Sequence, residues 1–422
     1  MKDNIIAGLD IGSTEVRMVV GQKVDEGDGA KLQIIGAVSV PAEGISKGIV
    51  NSIEDATSSV SACLEKVERL VGVPITRVWV SLNDPYIKCQ RSRGVVAVGK
   101  SDGEIVEDDI ERAIEAARAL SVPPNYEILH VIPVKFTVDN QEDIKDPIGM
   151  NGIRLEVETL IIQGLSSQIK NLTKAIYRTG FDIEDLVLSP LAAAEAVISN
   201  KQKELGVALV NIGAATTSLA VYEEGELLHT AVLPIGSEHI TSDVAIGLRC
   251  PINLAERIKL EYGSARPDKF SKKDEIDISD LVAEEEADKE IKNVSQKYVA
   301  EIIEARVEEI FEKIDEELKK IDRSGMLPAG IFLVGGGAKL NDLVDLAKKK
   351  LRLPVSLGTP KNINTVIDKV ERLEFLTTLG LVIWGDSLDS GGKGGFNLGG
   401  PIGKTADKTV KKIKEWMSSL IP

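Results

Sequence analysis

The apolar and polar positions of the first eighty residues predict strands followed by a helix. Apolar runs on both sides of residues 9–14 predict a strand, a tight turn and a second strand. Further strands are predicted over 32–40, 48–50 and 77–82. Apolar residues spaced three and four apart predict a helix over 52–70. Together these elements indicate one half of a doubly wound α/β domain.

Residues 83–163 interrupt this pattern and predict a separate small α+β unit. Its strands are predicted over 94–98, 128–138 and 153–162, and its helix over 107–120. The segment Asp146-Pro147-Ile148-Gly149-Met150 has the composition of a turn. A plain loop with no binding role is an equally good interpretation of that turn.

The strand–turn–strand pattern recurs two hundred residues later. An apolar strand over 207–212 runs into glycine, small residues and threonine, and a second apolar strand follows over 219–222. A third element, residues 331–339, places four apolar residues before three glycines and a helix. Longer helices are predicted over 238–248, 253–262 and 295–322, the last with a buried apolar stripe.

The two turns and the glycine run carry residue types that suit phosphate binding. Glycine lets backbone approach a ligand closely, and hydroxyls and free amides can surround phosphate oxygens. A carboxylate at a strand end can hold hydrated Mg²⁺, a role we assign to Asp10. One Asp-x-Gly turn alone is usually a simple hairpin, but three such elements in this order predict a nucleotide site. These elements predict the site residues Asp10, Gly12, Ser13, Thr14, Asn211, Gly213, Ala214, Ala215, Thr216, Gly335, Gly336 and Gly337.

Composition narrows the classes of function. The 422 residues carry a net charge of −15 and only 4% aromatic residues, which argues against nucleic acid as a partner. Three cysteines and three histidines lie far apart without metal-ligand spacing, so reduced thiols are the simplest interpretation. The N-terminus lacks the pattern of a signal peptide, and no apolar run approaches the ~20 residues of a spanning helix.

The three loops together resemble the actin and heat-shock chaperone ATPase superfamily, and residues 189–196 and 379–381 resemble its two connecting helices. The resemblance implies a duplicated actin-like fold that binds ATP and Mg²⁺ between its halves. It also implies that amides of the helix after Gly236 face the nucleotide, that Glu256 reaches the ribose and that Lys259 packs beside the adenine. A surface ion pair between Glu256 and Lys259 is the alternative, because they lie one helical turn apart.

Within the superfamily the chain is most similar to the FtsA family of bacterial division actins. The inserted unit and the segment Arg154-Leu155-Glu156-Val157 match that family, and residues 302–310 resemble its helix near the binding site for the FtsZ tail. This implies binding of the FtsZ C-terminal tail, for which we propose Arg306, Lys297 and Lys292. Pairing of these cations with neighbouring acidic residues is the alternative. The resemblance also implies filaments of the protein itself and contacts of the inserted unit with later division proteins.

The C-terminal residues predict a tethered membrane anchor. Residues 387–404 are glycine-rich and predict a flexible linker, and 405–422 predict an amphipathic helix. A basic amphipathic helix with Trp is typical of an anchor that lies in an anionic membrane surface, although it could instead fold back onto the core. FtsA proteins end in the same way, which implies a peripheral location on the cytoplasmic face of the inner membrane at the division site. The predicted membrane residues are Val410, Ile413, Trp416, Met417, Leu420, Lys411 and Lys412.

The residue at position 211 indicates how fast ATP would be hydrolysed. The superfamily usually has Asp where this chain has Asn211, and an amide cannot accept a proton as a carboxylate does. We therefore expect ATP binding with weak or no hydrolysis.

Two other functions remain as alternatives to an FtsA-type function: a type IV pilus assembly scaffold and a small-molecule kinase of the superfamily. The predicted domains are 1–82 and 164–196 for the first half, 83–163 for the insertion, 197–386 for the second half, then the linker and the terminal helix.

Overall fold

A computed structural model describes residues 4–25, 30–119, 122–284, 293–361, 363–365 and 367–389. The described chain folds around three apolar cores: one centred on the first half that extends into the insertion and the second half, one in the second half and one in the insertion. The strands are β1 (Ile5–Ile11), β2 (Glu15–Asp25), β3 (Ala30–Pro41), β4 (Ile45–Ser46), β5 (Ile49–Val50), β6 (Arg77–Leu82), β7 (Lys88–Ala97), β8 (Tyr126–Val138), β9 (Gln141–Ile144), β10 (Arg154–Leu165), β11 (Asp182–Leu188), β12 (Val207–Ile212), β13 (Thr217–Glu223), β14 (Glu226–Leu233), β15 (Glu275–Asp277), β16 (Asn293–Ser295), β17 (Ile331–Val334), β18 (Val355–Leu357) and β19 (Asn364–Thr365).

Three helices begin at a serine whose side chain caps the first turn: Ser52, Ser199 and Ser295. Ser52 accepts the Asp55 amide at the start of the first helix, and Gly72 ends that helix in the left-handed conformation. The helices are α1 (Ile53–Val71), α2 (Glu107–Arg118), α3 (Ser166–Tyr177), α4 (Ser189–Val197), α5 (Asn200–Leu205), α6 (Ser237–Leu248), α7 (Ile252–Tyr262), α8 (Ser279–Glu284), α9 (Gln296–Lys320), α10 (Leu343–Leu351) and α11 (Leu376–Asp389). None of the helices in the described ranges is long and apolar enough to cross a bilayer.

The two halves share a five-stranded sheet topology, to which the first half adds β19 beside β3. The first sheet has the order β11-β6-β1-β2-β3-β19 and the second has the order β14-β13-β12-β17-β18. In each, three antiparallel strands (β1–β3 or β12–β14) continue into two parallel ones (β6 and β11, or β17 and β18). The carboxyl ends of the parallel strands therefore meet on one side of each sheet, where ligands bind in open α/β folds. This duplication confirms the predicted fold class.

The insertion between β6 and α3 is a separate α+β unit, as the sequence predicts. Its sheet has the order β7-β10-β8-β9, and α2 covers one face. Gly94 allows this packing, because a Cβ there would lie 1.9 Å from the Ala113 carbonyl oxygen. The unit also contacts the second half. The Lys145 ammonium donates to the Glu224 carbonyl at 2.6 Å, and Arg91 Nη2 donates to the Leu228 carbonyl at 3.3 Å.

Helices α4 and α11 cross between the halves with their backbones in contact. A Cβ on Gly380 of α11 would lie 1.8 Å from the Ala192 carbonyl oxygen of α4. Both helices are largely apolar, which explains why neither shows a polar face in the sequence. The structure differs from the predicted linker at one end, since residues 387–389 belong to α11. The predicted terminal helix lies outside the described residues.

Candidate functional site

The two predicted phosphate turns have the same geometry. The Gly12 amide donates to the Glu15 carbonyl at 3.0 Å, and the Gly213 amide donates to the Thr216 carbonyl at 2.9 Å. A Cβ on Gly12 or Gly213 would lie 2.9 or 3.0 Å from that carbonyl oxygen, so both turns require glycine. In the described structure the amides of Ser13, Thr14, Ala214 and Ala215 donate to no protein acceptor. Such amides can bind the oxygen atoms of a phosphate.

Asp10 lies at the end of β1 beside the first turn. The Ser81 hydroxyl donates a hydrogen bond to Asp10 Oδ1, and Arg17 Nη1 lies 3.8 Å from Asp10 Oδ2. Burial raises the pKa of the Asp10 carboxyl, while the charge of Arg17 and the Ser81 hydrogen bond oppose that rise. A buried carboxylate of this kind gains stability from a cation held nearby. Its oxygens fit hydrated Mg²⁺.

Asn211 occupies the equivalent position in the second half. Its Nδ2 donates to Thr377 Oγ1 at 3.2 Å. Its Oδ1 lies against Gly335, where a Cβ would be only 2.3 Å away. Gly335 has φ +89°, a conformation that favours glycine. Asn211 therefore ties the second turn to both the glycine loop and the start of α11.

The glycine loop after β17 lies beside the second turn. A Cβ on Gly337 would lie 2.6 Å from Ile212 Cγ2, so this loop packs directly on β12. Gly336 is different, because a Cβ there meets nothing within 4 Å and would point into open space. The loop thus presents backbone, without side chains, to the cleft.

Glu256 and Lys259 form the ion pair that the sequence left as an alternative, with Lys259 Nζ 2.6 Å from Glu256 Oε2. Lys259 also donates to Thr241 Oγ1 at 2.8 Å, and the Thr241 hydroxyl donates to Glu256. Glu256 and Lys259 both line the cleft as well. The ion pair and the predicted place beside a ligand are therefore compatible.

The loops and helices enclose a cavity of about 950 Å³ between the halves. That volume falls within the range of small-molecule sites. The cavity brings together fourteen of the fifteen predicted site residues: Asp10, Gly12, Ser13, Thr14, Asn211, Gly213, Ala214, Ala215, Thr216, Glu256, Lys259, Gly335, Gly336 and Gly337.

Gly236 is the predicted residue that does not line the cavity. Its amide donates to His239 Nδ1 at 3.1 Å. The next two amides, of Ser237 and Glu238, donate to the carbonyls of Gly213 and Ala214 at 2.9 and 2.8 Å. The expectation that the first amides of this helix face a nucleotide is therefore wrong. Those amides hold the second phosphate turn in place.

The sequence pattern does not indicate a group of polar residues at the end of β6 and directly after it. Ser81, Asn83 and Asp84 line the cavity, and burial raises the pKa of the Asp84 carboxyl. The sequence pattern instead predicts that residue 83 belongs to the insertion. The signal was available, because β6 is a buried parallel strand followed directly by polar side chains. Ser189, the first residue of α4, also lines the cavity, and its hydroxyl has no hydrogen-bond partner within the described residues.

The three residues predicted to bind the FtsZ tail differ in how the structure places them. Arg306 is paired within the second half: its Nε and Nη2 donate to Asp243 at 2.6 and 3.0 Å, and its Nη1 donates to Glu309. Lys297 is half-buried near the start of α9. Lys292 and the predicted membrane residues lie outside the described residues.

Comparisons with known proteins agree with this fold. A family model for cell division protein FtsA matches residues 208–380, and a model for the SHS2 domain inserted in FtsA matches 85–163. Cell division protein FtsA of Pseudomonas aeruginosa is 32% identical over 415 residues, which cover 98% of this chain and 97% of that protein.

Two solved structures show the same fold. The PilM–PilN type IV pilus biogenesis complex has a TM-score of 0.64 at 16% identity and covers 90% of this chain and 98% of its own. MreB5 of Spiroplasma citri bound to AMPPNP has a TM-score of 0.55 at 13% identity and covers 92% of this chain and 98% of its own. At these identities the likeness concerns the fold alone.

The duplicated sheets and the cavity between them define a protein of the actin-like class. The insertion between β6 and α3 distinguishes one group within that class. From the matched insertion and the near full-length relative, the chain belongs to the family of cell division protein FtsA.

Proposed function

We propose that the protein binds ATP with Mg²⁺ in the cavity between its halves. The observation that carries this proposal is the pair of equivalent turns, each with free amides, on opposite sides of one cavity. The Ser13 and Thr216 turns would hold the phosphates, and the glycine loop and the Glu256–Lys259 face would hold the nucleoside. Asp10 would hold hydrated Mg²⁺, which would neutralise phosphate charge. The AMPPNP bound to the structurally similar MreB5 supports a nucleotide of this kind.

The residues at the cavity favour slow turnover. Asn211 is an amide that already donates to Thr377, so it cannot take a proton from an attacking water. ATP would then act as a ligand that holds the two halves together and controls assembly into filaments. Rapid hydrolysis is not required for that role.

The second half carries an exposed apolar surface that suits the FtsZ tail. Ile246 at the end of α6 is 75% exposed, and Tyr298 at the start of α9 is 45% exposed. The two helices pack together here, because a Cβ on Gly247 would lie 3.6 Å from Tyr298 Oη. Lys297 precedes Tyr298 in α9. We infer that the tail binds Ile246, Tyr298 and Lys297 and that Lys292 contributes a further charge. Arg306 supports the surface from within.

We propose that this protein tethers the FtsZ ring to the cytoplasmic face of the inner membrane. It would do so as filaments held by many copies of the terminal helix, since one short helix binds weakly and multivalency strengthens attachment. Later division proteins would contact the insertion. The role follows that of the family to which the chain belongs.

Sedimentation with anionic vesicles tests the tether. The full-length protein should sediment with vesicles in the presence of ATP and Mg²⁺, and it should bring FtsZ with it. A variant without residues 405–422 should keep ATP binding but stay in the supernatant. Trp416→Glu should lose most sedimentation, because it places a charge in the apolar face, while vesicles of neutral lipid serve as the control. A full-length protein that ignores anionic vesicles at concentrations where it polymerises would contradict the tether.

A further inference from the structure

A hydrogen bond crosses the cavity between the two halves at its phosphate end. Asn83, which follows β6 in the first half, donates through Nδ2 to Thr216 Oγ1 at 2.7 Å. Thr216 belongs to the second phosphate turn and is 4% exposed. Both residues line the cavity. The bond can exist only while the halves are closed on each other.

The first phosphate turn has an equivalent arrangement within its own half. The Gly48 amide, between β4 and β5, donates to Ser13 Oγ at 3.0 Å. Gly48 has φ +77°, and a Cβ there would lie 3.2 Å from Thr216 Cγ2. The hairpin of β4 and β5 therefore sits against both turns. Each turn has one hydroxyl that accepts a hydrogen bond from an N–H group of the first half.

These bonds decide what each hydroxyl can still do. A hydroxyl has one proton and two lone pairs, so one that accepts from a fixed N–H keeps its proton for another acceptor. Within the described part of the chain, neither the Ser13 nor the Thr216 hydroxyl donates to a protein group. Phosphate oxygens only accept. An orienting N–H behind each hydroxyl thus makes that hydroxyl a donor toward an anion in the cavity.

Asn83 has a second property that points to a ligand. Its Oδ1 is buried and meets no donor in the described residues. A buried carbonyl oxygen without a donor is unfavourable, because it has lost its hydrogen bonds to water. A water molecule that enters with the hydrated phosphates and Mg²⁺ would satisfy it.

We propose that Asn83 is a positioning residue for the terminal phosphate. By donating to Thr216 Oγ1, it turns the Thr216 proton toward a phosphate oxygen. Because Asn83 and Thr216 lie on opposite halves, the Thr216 hydroxyl is oriented only when the halves are closed. The Ser13 hydroxyl is oriented by the Gly48 amide of its own half, whether or not the halves are closed. The second turn therefore offers the nucleotide an oriented hydroxyl donor only when the two halves are closed. This inference rests on the proposed function, since it concerns the same cavity.

Calorimetry on the full-length protein with ATP, ADP and adenosine in Mg²⁺ buffer tests the proposal. Asn83→Ala should bind ATP about three- to tenfold more weakly, the effect of one hydrogen bond, and should bind adenosine as the parent does. Asn83→Asp is nearly the same size but can only accept, so it should take the Thr216 proton, repel phosphate and weaken ATP binding further. Asn51→Ala is the matched control, because Asn51 donates to Ser46 Oγ at 3.0 Å at an exposed position outside the cavity.

A double-mutant cycle shows whether Asn83 acts through Thr216. Thr216→Val removes the hydroxyl, and in that background Asn83→Ala should have no further effect on ATP affinity. Thr216→Ser keeps the hydroxyl, and there the full effect should return. If Asn83→Ala weakens ATP binding by the same factor in the Thr216→Val background as in the parent, the proposal is overturned. Equal ATP affinity in the parent, Asn83→Ala and Asn83→Asp would overturn it as well. A parent protein that binds no ATP would instead overturn the proposed function, so the two failures are distinct.

Discussion

The Arg306 guanidinium forms a two-point ion pair with the Asp243 carboxylate and so fastens α9 to α6. The pair raises the pKa of Arg306, chiefly through the hydrogen bond to Asp243. Two parallel N–H···O bonds of this kind are among the stronger contacts in proteins. Both carboxylate oxygens of Asp243 are used. An incoming acidic peptide would have to displace this pair before it could bind Arg306.

The first prediction follows for the FtsZ tail. Lys297→Glu should weaken binding of a tail peptide at least threefold at low salt, because it reverses a charge beside the exposed apolar surface. Ile246→Ser should weaken binding without changing charge. Arg306→Ala should lower the free energy of unfolding by about 1–2 kcal/mol through the loss of the Asp243 bonds, with little change in tail affinity at temperatures where it stays folded. Fluorescence anisotropy of a labelled peptide and urea titration measure the two effects. The assignment fails if Arg306→Ala abolishes binding while Lys297→Glu and Ile246→Ser bind as the parent does.

The second prediction separates the glycines of the third loop. Gly336→Asp should fold normally, since its side chain meets open space, but its charge should weaken ATP binding at least tenfold. Gly336→Ala is the matched control and should stay within about threefold of the parent. Gly335→Ala should instead destabilise the fold by about 2 kcal/mol or more, because it combines a positive φ with a clash against Asn211. Calorimetry and thermal unfolding provide the measurements, and tight ATP binding by Gly336→Asp would remove this loop from the site.

The third prediction concerns hydrolysis. Asn211→Asp should raise the rate of phosphate release from ATP, because a carboxylate can accept a proton from an attacking water. Thr377 can keep its contact by donating to the new carboxylate. The parent should remain well below the ~1 s⁻¹ typical of kinases. Single-turnover phosphate release from ATP is measured for the parent and for Asn211→Asp. A parent protein that already hydrolyses ATP at the rate of kinases would refute the expectation of slow turnover.

The fourth prediction is a pH dependence at Glu226, the first residue of β14. Burial raises the pKa of this carboxyl from 4.5 to about 7, with the charge of Glu204 adding to the rise and Lys145 and Lys203 opposing it. Between those values the folded state binds more protons than the unfolded state, so stability falls as pH rises through that window.

Glu226→Gln cannot ionise and should escape this loss. Its gain in unfolding free energy over the parent should be near zero at pH 4.5 and reach on the order of 1–3 kcal/mol above pH 7. Urea titration of both proteins at several pH values measures the difference. A gain that is constant with pH would mean that Glu226 ionises normally in the folded protein.

The sequence predicted the repeated parts of the molecule best. The turn at Gly12 and the turn at Gly213 share a pattern because both need a glycine against a carbonyl, and that need is local. Helix α1 is predicted to within a residue or so for a similar reason, since its apolar period, the Ser52 cap and the Gly72 end all lie in one stretch. The insertion was visible as an interruption of the pattern.

Contacts between distant segments were not visible in the sequence. Asn83 meets Thr216 across 133 positions, and neither residue alone indicates the other. The pairing of Arg306 with Asp243 likewise depends on how two helices pack. The start of α6 predicts free amides after Gly236, but in the fold those amides donate to the second turn. Local patterns predict elements, and only packing decides which polar groups remain available.

The close crossing of α4 and α11 has a mechanical consequence. Gly380 lies against the Ala192 backbone, and α11 continues to Asp389, where the described chain ends. Whatever the following residues attach to, a pull on them acts first along α11. Because the backbones of the two helices are in direct contact at Gly380, the force is transmitted to α4. The first residue of α4, Ser189, lines the cavity. Tension on the residues that follow Asp389 would therefore reach the cavity through α11 and α4.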